Sequence, residues 1–597
     1  MPSEYWNNWW RRPASRRRFL GTGAAVGVGT AGLALVGCGD DDDDDDDEPT
    51  ATTGGGDASP TSAATQGPSD EGTVGGTLRL PLEGFSSGDP PTLFPFENLT
   101  YLAQTPSSLH YGRLLAEVAG PDIASSDFTA LEGDSADDWE QVDELTYTFH
   151  IRDNLKWHDI EPLNGRAATA EDFAATYEAF ETLSQNSAVY QAVVDRVEAT
   201  DTQNLTVTLK DVFAPFLATH ASSPEGVWFI PVEIINNQQV QTQPVGTGPW
   251  IFREWETGVA MRWDRNPEYW DNPRPYFEHV EGSMQRDPQR ILAALQAGDF
   301  DMSGLSGTVY DEAHASLDPA GTEIFAPTGV LGSYIFNFEH DNGIWRDKRM
   351  RQALSYSFSR DDLIEALDQT GRGTWQSTLS PAMAPYFLDP SDAATFGPNA
   401  QYYQKNIPEA KRLLMEATGS DTFDVTVTSN VDRYGEGARA LWELLSSLIQ
   451  EGGFNTEVVF QEYGSYIQSS YLGQTEQGIA LGPLIGSPRD PNDIYARLLE
   501  STSPRHNWFG PAIDEQADID ADIAQQRTIL EVEERVEFIQ EMQRKMAESH
   551  LIVPYHGGSG FGYVQPWMMN YHDKIGYAVY HASIRKAYFT EERIAQG

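Results

Sequence analysis

One short stretch constrains this chain more than any other: Pro244-Val-Gly-Thr-Gly-Pro-Trp250. Pro244 and Pro249 fix φ, while Gly246 and Gly248 permit backbone shapes closed to other residues. A tight turn that opens into extended chain is expected. The next residues alternate: Trp250, Phe252 and Trp255, then Glu256-Thr-Gly258, then Val259, Met261 and Trp263. That pattern predicts a β-hairpin with one apolar face and Gly258 in its turn. Asn266-Pro-Glu-Tyr-Trp270 and Pro273-Arg-Pro-Tyr276 continue as a loop rich in proline and aromatics. Taken alone, the stretch is a well-packed corner of a sheet.

The chain has 597 residues, too many for one core, so two or more lobes are expected. Its 90 acidic and 40 basic residues give a formal charge of −50. Such a field disfavours nucleic acid and anionic membrane surfaces as partners. Cys38 is the single cysteine, which excludes an internal disulfide and any cysteine-based metal cluster.

Ser15-Arg-Arg-Arg-Phe-Leu20 reads as the basic start of a twin-arginine signal, with Arg16 and Arg17 as the pair. The small and apolar run from Gly21 to Gly37 is too short and glycine-rich to read as a membrane span. It ends in Leu35-Val-Gly-Cys38, which looks like a bacterial lipobox. Cleavage of residues 1–37 and lipidation of Cys38 are expected. Eight aspartates, Asp40 to Asp47, then repel one another and stay solvated. Low-complexity chain continues, so residues 38–75 read as a tether, spanning roughly 35 Å between Cys38 and Gly76 by random-coil scaling.

From Thr77 onward strands and helices mix with irregular spacing, with no regular βα repeat and no solenoid period. Thr146 to Ile151 and Leu205 to Leu209 alternate as strands, and Ser107 to Ala116 reads as a short helix. Thr169-Ala-Glu-Asp172 is a capping-box signature, and Asp287-Pro288 sets an N-cap with an N1 proline. Asp347 and Ser359 read as caps of two further helices, Gly298, Gly419 and Gly452 as stops, and Glu531 to Glu548 as the longest helix.

Little of this points to catalysis. His556-Gly-Gly-Ser-Gly560 suggests a hydrolase loop, but Phe561 stands where a nucleophile elbow needs glycine. No HExxH, phosphate-loop or calcium-loop pattern is present, and the histidines lack ligand spacing. No metal, cofactor or catalytic residue is expected.

Several long motifs in order resemble one family: the peptide/nickel/opine class of extracytoplasmic solute-binding proteins that serve ABC importers, family 5. They are Leu145 to Asp159 with Thr169-Ala-Glu-Asp-Phe173, the Pro244 stretch with Arg265 to Trp270, Ala293 to Asp301, Tyr334 to Phe338, Asp347 to Arg360, Tyr402 to Gly419, and Ile552 to Tyr555. Ile160 departs from it, standing where a glycine is usual. The resemblance implies a mixed α/β fold, a two-lobed periplasmic-binding-protein-like clamp with an extra subdomain in the first lobe. Residues 76–327 would form that lobe, 328–553 an inserted second lobe, and 554–597 the return to the first.

It also implies capture of a small solute between the lobes and delivery to an ABC-transporter permease, without chemistry. The protein would be a monomer, anchored through Cys38 to the outer face of the cytoplasmic membrane (periplasm or cell surface). Peptide, opine, oligosaccharide and metal chelate all remain open as solutes. Peptide-binding members carry an aspartate shortly before an Asp-Pro or Glu-Pro pair; Ser487 or its neighbours stand there in Gly482 to Asn492. Tyr101, Tyr334, Ser487, Arg489, Asp490 and His556 are therefore expected to line the cleft. Asp490 would be a turn residue of the kind favoured before proline or, with the loop shifted, a substitute for the missing carboxylate; alternatively, Arg489 would meet a ligand carboxylate. Alanine at Asp490 and Arg489 is expected to weaken binding without lowering the melting temperature. Two other readings are an anchored hydrolase using Gly557 to Gly562 and a receptor built on the same clamp.

Overall fold

In the computed structural model the Pro244 stretch leads into the expected hairpin, Trp250–Glu256 antiparallel to Ala260–Arg265. Gly258 takes a φ of +74° in the turn. Trp250, Phe252, Met261 and Trp263 are buried on its inner face, whereas Val259 lies in the turn and is exposed. Gly246 and Gly248 have a different reason to be glycine than conformational freedom, because neither has a positive φ. A Cβ on Gly246 would stand 2.0 Å from the His110 carbonyl oxygen, and one on Gly248 would stand 2.5 Å from its carbonyl carbon. The stretch is pressed against the end of the helix Tyr101–His110, and the Gly248 N–H donates to His110 O at 3.1 Å. That helix begins six residues before its expected start and runs through Pro106.

The structure describes residues 72–82, 89–327, 329–338, 340–368, 370–430, 435–466, 478–483, 488–503, 513–576 and 578–596, all within the unit Ser59–Gly597. Arg16, Arg17, Cys38 and Ser487 lie outside the described residues.

The hairpin belongs to a four-stranded sheet. Thr77–Pro81 pairs parallel with His279–Ser283, which pairs antiparallel with Ala260–Arg265. A second four-stranded sheet is the antiparallel set Ala136–Asp143, Thr146–Ile151, Asn204–Leu209 and Val194–Ala199. The helix Ala170–Leu183 starts at the Thr169/Asp172 capping box. Phe149, Phe173, Phe180 and Leu205 meet in one core of this part.

A five-stranded sheet builds the other half, in the order Phe454–Gln461, Phe423–Asn430, Ile479–Pro483, Gly332–Phe336 and Ile552–Pro554. Its helices carry the expected caps: Asp347 on Lys348–Tyr356, Ser359 on Arg360–Leu367, and Gly419 at φ +79° after Ile407–Thr418. Their apolar faces and that of Val532–Ser549 close on the sheet in one large core.

The two halves are joined by two adjacent crossings. Thr322–Pro327 and Ser559–Val564 pair antiparallel before the crossings, and Gly332–Phe336 and Ile552–Pro554 pair antiparallel beyond them. One loop of the second half grips both. The buried Gln376 amide donates to Val330 O at 2.8 Å and accepts from Gly332 N at 3.1 Å. Thr374 and Gly557 exchange both backbone bonds, at 2.9 and 2.8 Å. Gln376→Ala would orphan a buried donor and acceptor, so a loss of about 1–3 kcal/mol is expected in urea unfolding. Unchanged stability would show that the clamp carries no weight.

Candidate functional site between the lobes

A cavity of about 560 Å3 lies where the two halves face each other. One wall comes from the helix Ser187–Val193 and the loop through Thr219 to Glu225. The other comes from the helix Pro491–Leu498, the chain after it, and Arg527. The walls also touch around the cavity. Arg489 on the second half reaches Glu117 on the first at 3.3 Å, with both side chains buried. Arg497 meets Glu225 at 3.4 Å, and the Ala214 N–H donates to Arg527 O at 2.7 Å. The Arg489 guanidinium lies 4.6 Å from the Phe128 ring centre, and Phe128 packs with Ala382 and Ile575.

The electrostatics come from burial. Desolvation alone would raise the Glu117 carboxyl, but Arg113 at 3.0 Å, then Arg489, hold it below the usual carboxylate range. Asp493, half-buried on the helix wall, is pushed up to about 6 by burial, against the pull of Arg497. His220 on the opposite wall is neutral, because burial lowers it to about 3. Arg527 is held by Glu500 through two bonds of 2.9 and 2.7 Å and by Asn492 Oδ1 at 2.7 Å.

Of the described residues expected in the cleft, only Arg489 lines this cavity. It is already partnered by Glu117, so its pairing is across the lobes within the protein. Asp490 is a correction. It is buried, caps the helix Pro491–Leu498 in a capping box with Asp493, and receives Arg535 through two bonds of 2.6 Å each. Both its oxygens are committed to the fold of the second half, so its loss cannot leave the melting temperature unchanged.

Tyr334 is also a core residue: fully buried, its hydroxyl donates to Leu445 O at 2.8 Å, and its ring packs on Phe358 and Tyr555. Tyr101 opens its helix beside Met261 and Pro106, on the first half and away from the cavity, with its hydroxyl buried and unpaired among the described residues. His556 sits on the second crossing, where burial lowers it to about 4. Ser559 begins a strand paired with Thr322–Pro327, and its hydroxyl donates to the neighbouring Gly560 O, so this segment forms no nucleophile elbow.

Glu117, Glu225, Asp493, Arg497 and Arg527 were not anticipated. Asp493 alone left a local trace, standing three residues after Asp490 as a capping box requires. The Glu117–Arg489 and Glu225–Arg497 pairs join residues hundreds of positions apart, and nothing local announces them.

The Glu117–Arg489 contact exists only while the walls meet. Arg489→Gln is expected to shift the lobes toward an open arrangement by about tenfold or more, because it strands one partner of a buried ion pair. Small-angle scattering would show a larger radius of gyration. An identical scattering profile would mean the contact does not hold the lobes.

Two lobes, two adjacent crossings and a cavity between them define a two-lobed clamp. Residues 121–504 match the bacterial extracellular solute-binding proteins, family 5 (middle region), and the chain belongs to that family. It is 26% identical over 412 residues to heme-binding protein A of Haemophilus influenzae, covering 62% of this chain and 72% of that one. It is 23% identical over 409 residues to di/tripeptide-binding protein 2 of Pseudomonas aeruginosa, covering 64% and 73%. In fold it is similar to the ABC transporter substrate-binding protein CtaP of Listeria monocytogenes. That likeness has a TM-score of 0.70 at 23% identity and covers 87% of this chain and all of that one (100%). Among the described residues no helix is long and apolar enough to cross a membrane.

Proposed function

We propose that this protein captures a short peptide or another small polar solute in the cavity between its lobes and hands it to the permease of an ABC importer. One observation carries this reading: a cavity of about 560 Å3, walled by both halves of a chain that crosses between them twice. That volume suits a small solute and is too small for a folded partner. The names of the relatives, heme-binding and di/tripeptide-binding, support a binding role without chemistry.

In this reading residues 76–327 and 554–597 form one moving body and residues 328–553 the other, pivoting at the crossings that Gln376 and Thr374 grip. Closing on solute couples binding free energy to lobe position, and the closed form is what the permease reads. Cleavage after Gly37, guided by Arg16 and Arg17, leaves Cys38 to be lipidated. Residues 38–75 tether a monomeric clamp to the outer face of the membrane.

Native mass spectrometry of the protein as purified, before and after unfolding and refolding, tests the binding claim. An adduct of small-molecule mass that disappears on refolding is expected. A protein that carries no adduct and takes none from a mixed solute pool would overturn the reading.

A further inference from the structure

The sequence holds two Asn-x-Ser/Thr triplets, the acceptor pattern for N-linked glycans: Asn98-Leu-Thr100 and Asn204-Leu-Thr206. Such glycans are added outside the cytoplasm, where the proteins of this chain's family act. The two triplets are identical in composition. What separates them is how the fold presents each amide nitrogen.

Asn98 lies in the link between the short helical turn Pro95–Glu97 and the helix Tyr101–His110. No strand runs through it. Its Oδ1 accepts both the backbone N–H and the hydroxyl of Thr100, an Asx turn that closes the triplet on itself. With Oδ1 committed, the amide is held in one orientation, and its Nδ2 donates to no group among the described residues. Asn98 and Leu99 are half-buried, and Thr100 is exposed. The Thr100 side chain makes no capping bond to the helix that follows.

Asn204 has the opposite setting. It opens the strand Asn204–Leu209, and its Nδ2 donates to both oxygens of Asp201, at 3.0 and 2.8 Å. Its backbone N–H donates to the same carboxylate at 2.8 Å, and its carbonyl accepts the Thr200 N–H at 2.8 Å. Thr206 is paired on both sides, with Thr148 and Glu198. To enter an enzyme's active site this triplet would have to leave its sheet and break charge-assisted bonds.

We propose that Asn98 is an N-glycosylation site and that Asn204 is not. The donor class is an oligosaccharide carried on a polyprenyl phosphate or diphosphate. A bond forms from Asn98 Nδ2 to the anomeric carbon of the first sugar, and the bond from that carbon to the phosphate oxygen breaks. The lipid phosphate departs, one Nδ2 proton leaves with it, and nothing is oxidised or reduced. The glycan stands on the first half, next to the segment that leads into the cavity wall: the Gln185 N–H donates to Phe96 O at 3.1 Å, and the helix Ser187–Val193 follows. The inference requires the chain to lie outside the cytoplasm and is independent of what the cavity holds.

The test is peptide mass spectrometry on the protein isolated from the cells that make it naturally. Trypsin separates the triplets into residues 80–113 and 197–210. The first peptide is expected as a heavier species that releases sugar oxonium ions on fragmentation, the second at its unmodified mass. In the same cells Thr100→Ala should abolish the heavier species, and Thr100→Ser should keep it, because the hydroxyl survives. Residues 80–113 found only at the unmodified mass, a mass shift there without sugar, or a glycan on Asn204 would each overturn the inference. So would a glycan retained by Thr100→Ala, because the triplet would then not direct the transfer.

Discussion

Arg535→Ala is expected to lower the unfolding free energy by about 3–5 kcal/mol, the range for stranding one partner of a buried ion pair. Arg535 and Asp490 are both buried and joined by two bonds of 2.6 Å. Arg535 also donates to the Tyr386 hydroxyl at 3.1 Å and to Gln526 Oε1 at 2.6 Å. Asp490 caps the helix that walls the cavity, so removing Arg535 leaves an unpaired carboxylate at the start of that helix. Asp490→Ala should cost a comparable amount. The double variant Asp490→Leu/Arg535→Met should recover much of the loss, because a pair of apolar side chains carries no desolvation penalty. Urea unfolding reads all three. A loss below about 1 kcal/mol for either single variant would mean that the pair is as weak as one at the surface.

Acid should destabilise the protein well before its ordinary carboxylates titrate. His158 is buried and built into the turn that organises the first half. Its Nδ1 accepts the Gly246 N–H at 3.3 Å and its Nε2 donates to Gly248 O at 3.0 Å. Burial lowers it from 6.5 to about 4. His550 falls to about 3 for the same reason, and His220 likewise.

A histidine held neutral in the fold but titrating at 6.5 when unfolded stabilises the fold fully above pH 6.5. That stability is lost as pH falls toward the folded value, because the unfolded chain then binds more protons. Asp134 and Asp493, both raised to about 6 chiefly by burial, act in the opposite sense: their stability is present below pH 3.8 and is lost as pH rises through 6. Asp301 and Asp573 are raised as well, but His110, His158, His220, His550, His556 and His581 are all lowered by burial and outnumber these four acids, so the net slope is loss on acidification between pH 6.5 and 4. His158 alone contributes about 3 kcal/mol at one pKa unit per 1.36 kcal/mol. Urea unfolding at pH 7.5 and pH 5 should show a clear fall, and His158→Gln should flatten it. Equal stability at the two pH values would contradict the neutral assignment.

The parts of this protein that were legible in its sequence are those fixed by neighbours. Trp250 to Trp263 alternates because a hairpin has a period of two, and Thr169, Asp287, Asp347 and Ser359 cap helices because orphan N–H groups lie two or three residues away. The family resemblance extended that reach to the clamp and its cleft. What stayed hidden was set by contacts distant along the chain.

Gly246 and Gly248 are glycines because the end of another helix presses on them, which composition cannot distinguish from a need for positive φ. Tyr334 has the residue type of a binding aromatic, but its strand is paired on both sides in its sheet and buried along its whole length. Asp490 precedes a proline as a ligand-loop residue would, yet its partner Arg535 lies on a helix that starts some forty residues later. The cavity's charge balance depends on Glu117 and Glu225, which no local pattern marks.

The central claim is that one solute is held by both lobes at once. Hydrogen–deuterium exchange with and without the dialysable fraction of a yeast extract measures this most directly. Protection is predicted on both walls, in residues 186–193 and 219–225 of one half and 491–503 of the other. The crossing segments near Val330 and Gly557 should change with them. Protection confined to one wall, or appearing only away from the cavity, would contradict the account.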